Sequence, residues 1–315
     1  MMSSKDVALI VNPNAGNGAV AKGWPSLEAL ARNKLGSLRS FMTSVPNEAE
    51  TLVVHAVEEG ARTVICIGGD GTFNEVVNGM MSLPEAIRSD IVIGFIPFGT
   101  GCDFARTIAI PKNPERALDI ISAKHLSRID IGRLDFQDHN DQKQGRYFHN
   151  IASFGLGGEV DQRVNRTTKA FGSFLSFIWA TIISILCYGK KSVHLQIDDT
   201  IEEDIVIWNI AVANGQYHGG GMRVAPDATP TDGMFNITVL GDLSLANVFL
   251  NLHNLYNGKI YGVEKVSRFC GKKISATSEQ RVLLDVDGEQ PGILPVRIDI
   301  VPQALNLYLP SSFGG

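Results

Sequence analysis

The chain has 315 residues, long enough for two domains with a core each, and its apolar content of 44% is that of an ordinary globular protein. A formal charge of -5 argues against a general polyanion-binding surface, so nucleic acid is excluded as an expected partner. The four cysteines, Cys66, Cys102, Cys187 and Cys270, lie far apart with no CxxC pair, which points to reduced thiols and a cytoplasmic setting.

The N-terminal third alternates apolar runs with helical stretches, the pattern of a parallel sheet covered by helices. Strands are predicted over residues 7–11, 38–45, 63–67 and 91–97, with helices over 18–33, 47–59 and 72–82. The first apolar run follows a few polar residues and is too short for the core of a signal peptide. It leads into Asn12-Pro13-Asn14-Ala15-Gly16-Asn17-Gly18, which taken alone is a turn cluster. The third strand leads into Gly68-Gly69-Asp70-Gly71, where glycines remove side chains as the backbone bends and approaches a ligand. The helix that follows carries Phe73, Val76, Val77 and Met80 on one face. Amides at such a strand-to-helix turn suit anionic oxygens, and Asp70 within it would repel phosphate unless a cation such as magnesium intervenes. Gly-Asp-Gly is also a common tight turn. The fourth strand ends in PFGTGCDFAR, residues 97–106, and Asp130 in SRIDIGRL reads by itself as an edge or bend feature.

From Ile131 onward the sequence becomes strand-rich, with strands predicted over 132–137, 147–154, 193–197, 205–213, 235–241, 273–277, 282–286 and 296–301. The expected architecture is an α/β domain with a parallel sheet, residues 1–130, followed by a β-sandwich-like domain, residues 131–302. The tail, 303–315, is expected to return to the first domain, and residues 137–145 form a polar hairpin loop. One uncharged stretch, 170–189, has about the length that spans a bilayer. Gly172, Ser176, Ala180 and Ser184 repeat there every fourth residue, a small stripe that suits close packing and argues against a transmembrane span. Arg163, Arg166 and Lys169 before it and Lys190 and Lys191 after it bracket the apolar surface as in interfacial binders. Read in isolation, Asp232-Gly233 and Asp287-Gly288 are hairpin turns. Asp285, Asp287 and Glu289 alternate and would share one face if their strand continued. His149, His194, His218 and His253 show no metal-ligand spacing and no Ser-His-Asp or Cys-His pairing.

GGDGTFNEVVNG, residues 68–79, resembles the nucleotide-binding signature of the diacylglycerol kinase catalytic-domain family, soluble lipid kinases related in fold to NAD kinases and, more distantly, to 6-phosphofructokinases. The resemblance implies that ATP lies along Gly68, Gly69, Asp70, Gly71, Thr72 and Asn74, with Asn12, Gly16, Thr43 and Thr100 also in contact. It implies that Asp103 joins Asp70 in a carboxylate network that positions Mg2+ and ordered water, with Asp130 as a third member. Cys102 departs from the pattern, standing where the family has asparagine; a weakly bonding thiol replaces an amide, and Cys102→Asn is expected to tighten nucleotide binding. GGGMRVAPDATPTDGMFNITVL, 219–240, implies a magnesium ion held by the Asp232 side chain and the carbonyls of Thr229 and Met234. LLDVDGEQPG, 283–292, implies a carboxylate that accepts the proton of the lipid hydroxyl, either Asp287 or Glu289.

The function so implied is ATP-dependent phosphorylation of a lipid hydroxyl, that of diacylglycerol first, with a sphingoid base or ceramide as alternative acceptor. The lipid would enter a cleft between the domains from a membrane surface, by peripheral contact and without a transmembrane span; a homodimer stays open. NAD kinase shares the GGDG turn, but the D-G-E segment and the Asn12 loop favour the lipid branch. A second class of reading, a non-catalytic lipid-binding protein on a kinase fold, is favoured by Cys102 and opposed by the retention of Asp70, Asp232 and Asp287.

Overall fold

Val7–Val11 (β1) and Thr63–Gly68 (β3) are buried at every position, as the middle strands of a parallel sheet with both faces covered must be. The computed structural model describes residues 6–167 and 183–313, and the chain divides into two units, 1–131 with 302–315 and 132–301.

In the first unit, Arg39–Met42 (β2), β1, β3 and Val92–Pro97 (β4) lie side by side in that order, all parallel. Ile10 pairs with Cys66, and Ile67 with Ile96. The end of the last strand, Ile293–Tyr308, joins the same sheet through Asn306 opposite Val92 and Leu307 opposite Ile93. The covering helices are α1 (Ala15–Leu35), α2 (Glu48–Glu58), α3 (Asp70–Ser82), α4 (Glu85–Arg88), α5 (Asp103–Thr107) and α6 (Pro114–Ala123). Phe73 of α3 meets Phe95 of β4 and Phe104 of α5 at centroid distances of 4.5 and 5.5 Å. A Cβ on Gly79 would lie 2.4 Å from both Glu50 O and Val53 Cγ1, so glycine there lets α2 and α3 approach closely.

Two helix starts differ from expectation. The first begins at Ala15, but Gly16, Asn17 and Gly18 are left-handed, with φ of 61, 56 and 80°, so regular helix starts beyond them. The third begins at Asp70 rather than Thr72, because a carboxylate in the first turn faces the positive end of the helix dipole. The short helices α4, α5 and α6 were not expected. Pro114 opens α6 next to an Asn113 cap, whose side chain accepts from Arg116 N, a local signal that the sequence does contain.

The second unit is a pair of antiparallel sheets. One contains β8 (Lys191–Ile197), β9 (Ile201–Ile207), β13 (Lys273–Thr277) and the first part of β15 (Ile293–Tyr308). The hairpin of β5 (Leu126–Gln137) with β6 (Lys143–Phe148) belongs to it as well, leaving a shorter loop than expected, 138–142. The other sheet runs β12 (Val266–Gly271), β11 (Phe235–Leu240), β10 (Asn209–Ala213), β7 (Ile151–Gly155), β14 (Leu284–Val286). Phe148, Leu195 and Ile274 from the first sheet and Phe154, Val212 and Ile237 from the second meet in one core. This is the expected combination of a parallel α/β domain with a β-sandwich-like one.

Two expected strands are each two strands. The run 205–213 breaks at Trp208, whose buried Nε1 donates to Leu243 O at 2.9 Å, and β9 and β10 lie in different sheets. The run 147–154 breaks at His149 and Asn150, between β6 and β7. Among the described residues the unit also contains a helix α7 (Leu156–Thr167), a helical turn at 183–187, a helix α8 (Leu245–Asn257) and a 3-10 turn at Ile260–Gly262. Most of the uncharged 170–189 segment, including Gly172, Ser176 and Ala180, lies outside the described residues; Ser184 is buried. Among the described residues, no helix is long and apolar enough to cross a membrane.

Candidate active site

In the first unit the strand ends β1, β2 and β3 open onto a cleft of about 380 Å³, the edge at which open α/β sheets hold ligands. Asn12, Thr43, Gly69, Gly71, Thr72 and Phe98 line it. Asn12 Nδ2 donates to Thr72 Oγ1 at 2.9 Å, tying the turn after β1 to the first turn of α3. Gly68 is required by packing, since a Cβ there would meet the Thr72 side chain at 2.6 Å. Gly71 is different. Nothing lies within 4 Å of its would-be Cβ, so neither packing nor left-handed backbone demands glycine, and bare backbone faces the cleft.

The amide ends of α3 and α5 carry the acids. Asp70 Oδ2 accepts from Asp103 N at 3.1 Å and Oδ1 from Phe104 N at 3.4 Å, so this carboxylate holds the start of α5. Asp103 is 5% exposed, with Arg106 Nη1 3.7 Å from its Oδ1. A Cβ on Gly101 would sit 3.5 Å from both Asp70 Oδ2 and Asp103 Oδ2. Glycine therefore leaves a small cradle faced by two carboxylates, a donor set of hard oxygens that fits magnesium.

Gly16, Asn74 and Thr100 are not among the residues that line the cleft, though Gly16 adjoins Phe98, which does. Gly16 lies in the left-handed start of α1. Asn74 is buried, with Oδ1 accepting from Asn78 Nδ2 at 3.1 Å. Thr100 is exposed, in a loop that Lys112 Nζ fastens by donating to Gly99 O and Thr100 O at 3.3 and 3.0 Å. Asp130 is fully buried and accepts from Gln303 N at 2.7 Å, which pins the returning tail. Glu75, which the sequence did not single out, lines the cleft and accepts from the amides of Asn47 and Ala49 at the start of α2.

Cys102 is buried at the start of α5 with φ 51° and ψ 49°, its Sγ 3.4 Å from Gly99 O. Burial, with help from the Asp70 charge, pushes its thiol up to about 12, so it is inert at neutral pH. The left-handed backbone costs a β-carbon residue about 1–2 kcal/mol, and asparagine tolerates it better. Cys102→Asn is expected to raise stability by about 1 kcal/mol, read as a higher urea midpoint. Gly71→Ala is expected to leave that midpoint unchanged or higher and to weaken nucleotide binding at least about tenfold; an unchanged Michaelis constant for ATP would mean that nucleotide does not lie against Gly71.

In the second unit, Val286 to Glu289 form a two-residue hairpin turn. Val286 N donates to Glu289 O at 2.7 Å and Glu289 N to Val286 O at 3.0 Å, while Asp287 and Gly288 have φ of 50 and 86°. That is the turn for which Asp-Gly is the preferred pair. The Asp287 carboxylate is almost wholly buried and points back into the unit. Its oxygens accept from the amides of His149, Asn150 and Ile151 at 3.0, 3.2 and 2.9 Å, and His149 Nδ1 lies 2.7 Å from Oδ2. Burial by itself raises its pKa, but the His149 charge and these hydrogen bonds outweigh it and bring it down to about 2. Glu289 is by contrast half exposed, with Arg146 Nη1 2.5 Å from its Oε2.

Asp285 does not share a face with these two, because β14 ends at Val286 and the chain turns. It is fully buried and accepts from Ser153 Oγ at 3.1 Å and Gly288 N at 3.0 Å, and His218 Nε2 lies 2.9 Å from its Oδ2. His149 and His218 are thus partners of two acids in one segment, pairings that spacing along the chain does not signal. Asp232 is exposed and its Oδ1 accepts from Met234 N at 3.0 Å, closing a tight turn at Gly233, φ 72°. With Thr229 and the turn carbonyls it offers oxygen donors and one charge; among the described residues, no group of three or more His, Cys, Asp or Glu side chains is placed to hold a metal.

Comparison with known proteins covers both units. Residues 6–134 match the model described as the diacylglycerol kinase catalytic domain, and residues 150–309 match the YegS C-terminal NAD kinase beta sandwich-like domain. A diacylglycerol kinase of Staphylococcus carnosus is 26% identical over 97% of this chain and 95% of its own, and one of Mycobacterium tuberculosis is 28% identical over 96% and 95%. Two crystal structures from Bacillus anthracis str. Sterne superpose at TM-scores of 0.79 and 0.71, with 24% and 21% identity, each over 98% of both chains. The second is described as a diacylglycerol kinase, and at these identities the likeness speaks for the fold alone.

Proposed function

Because the chain belongs to the diacylglycerol kinase catalytic-domain family, with the YegS-type C-terminal domain, we propose that it transfers the γ-phosphoryl group of ATP to a lipid hydroxyl, that of diacylglycerol first. The observation that carries this reading is the glycine-floored cleft at the strand ends of the first unit, with the carboxylates of Asp70 and Asp103 converging on Gly101. The nucleotide phosphates lie against the amides at the start of α3, where Gly69 and Gly71 leave room. Asp70 and Asp103 would hold Mg2+, which when bound neutralises phosphate charge, and Asp232 with the carbonyls of Thr229 and Met234 would hold a second ion.

Phosphoryl transfer of this kind depends mainly on positioning and on charge neutralisation. The lipid oxygen forms a bond to the γ-phosphorus as the bond to the ADP oxygen breaks, and the hydroxyl proton passes to a carboxylate. We assign that proton to Glu289. Asp287, the alternative, is buried beneath three amides and is too weak a base at a pKa of about 2. Its part is to hold the turn that presents Glu289.

The reading is tested by transfer of labelled phosphate from ATP to diacylglycerol, monoacylglycerol, sphingosine and ceramide in mixed micelles with magnesium. Label on diacylglycerol is expected. Label on sphingosine or ceramide alone would move the acceptor to the sphingoid class, and no labelled lipid would leave the binding-only reading or NAD as acceptor.

A further inference from the structure

Helix α8, LANVFLNLHNLYN, contains no Asp, Glu, Lys or Arg, and not one of its 13 residues is buried. Its inner side, Val248, Leu252 and Leu255, leans on Trp208, Leu243 and Ile260. Leu245, Phe249 and Tyr256 follow one another along a second stripe, and Leu250 lies further round. These four are 44, 39, 55 and 71% exposed, a group of large apolar side chains facing water on an uncharged helix.

Both ends of the helix are basic. Before it, Lys190 pairs with Asp242, and Lys265 Nζ donates to Asp242 O at 3.0 Å. After it, Arg223 N donates to Leu255 O, the Arg223 guanidinium lies beside Gly258, and Lys259 follows. Lys190 is paired with Asp242, Arg268 with Asp227 beside the Arg223 segment, and Glu264 is the chain neighbour of Lys265, so the segments flanking the apolar stripe carry five cations and three acids and are net positive. An apolar stripe flanked by cations matches the interface of an anionic bilayer, whose headgroups take the charges and whose acyl boundary takes the stripe.

We propose that α8 is the surface by which this chain docks on an anionic lipid bilayer, lying in the interfacial plane with Leu245, Phe249, Leu250 and Tyr256 inserted. The choice of occupant rests on the lipid kinase reading, while the surface itself rests on exposure and charge. The helix also connects to the D-G-E turn within the second unit. Arg223, bonded to Leu255, reaches Gln216 Oε1 through Nε at 3.0 Å, and the hairpin between those two residues carries His218, the partner of Asp285. Docking therefore bears on the segment that positions Glu289.

The test is flotation of the full chain with phosphatidylcholine vesicles, with and without phosphatidylglycerol, comparing wild type with the double variant Phe249→Ser, Leu250→Ser. Both side chains are exposed, so the variant keeps the wild-type melting curve. Wild type is expected to float with the anionic vesicles and the variant to bind at least about tenfold more weakly. A Leu250→Trp variant is expected to shift its emission to the blue on the same vesicles. In the kinase assay, the double variant should keep its turnover of a soluble short-chain diacylglycerol and lose turnover of vesicle-borne lipid. Equal flotation of wild type and variant overturns the proposal. So does a dimer in sedimentation that the double variant breaks without any vesicle binding, which would give the stripe to a second copy of the chain. Vesicle binding through α8 with no lipid phosphorylated would leave the docking surface standing and remove the kinase reading.

Discussion

Glu289→Gln is expected to lower kcat by about 10²–10⁴ with the Michaelis constant for ATP unchanged. The loss falls on the chemical step because a glutamine cannot accept the hydroxyl proton. Nucleotide binding is spared because Glu289 is not among the residues that line the cleft that would hold ATP. Folding is spared as well. The Glu289 side chain is 45% exposed, and its ion pair with Arg146 is of the surface kind that contributes about 0–1 kcal/mol. A variant within threefold of wild-type kcat would move the proton acceptor elsewhere and leave Glu289 as a surface partner of Arg146.

Asp287→Ala is expected to act on stability first. It leaves the amides of His149, Asn150 and Ile151 without their acceptor and the buried His149 without its carboxylate, a loss of about 3–5 kcal/mol. Against a total stability of about 5–15 kcal/mol, that is a large share, so loss of activity in this variant says nothing about a base unless the variant is shown to be folded. The pH dependence gives an independent reading. The Asp287 pKa is depressed from 3.8 to about 2 on folding, so its contribution is fully present above pH 3.8 and is lost as pH falls through about 2. The shift corresponds to about 2 kcal/mol. The urea midpoint of wild type should therefore fall between pH 4 and pH 2, and Asp287→Asn, which does not titrate, should lack that part of the fall. Parallel curves for the two proteins would show that Asp287 is not the buried acceptor described above.

The Asp285, Asp287 and Glu289 alternation shows how far local pattern reaches. In a continuous strand, period two would put all three on one face. Asp-Gly also favours a hairpin turn, and here the turn prevails: β14 ends at Val286, and the three carboxylates take different surroundings. Burial of Asp285 and Asp287 beside half-exposed Glu289 separates two anchors from one candidate base. Neither exposure nor partner is written in the spacing. The same holds for 205–213, whose β-branched run is good strand sequence on both sides of Trp208. That the chain changes sheets there follows from where the indole finds its acceptor, Leu243 O.

What the sequence by itself determined is what depends on near neighbours. Apolar runs with helical stretches between them specified a parallel sheet, and glycines after β3 specified a strand-to-helix turn. Asp-Gly pairs specified hairpins, and the matched segments specified the family. What only the tertiary structure decided is the work of each ionisable group. Asp287 meets amides 136–138 residues away and Asp285 meets a serine 132 residues away. A carboxylate becomes an anchor or a base according to its burial and its partners, and these are set by how distant strands pack rather than by the residues on either side.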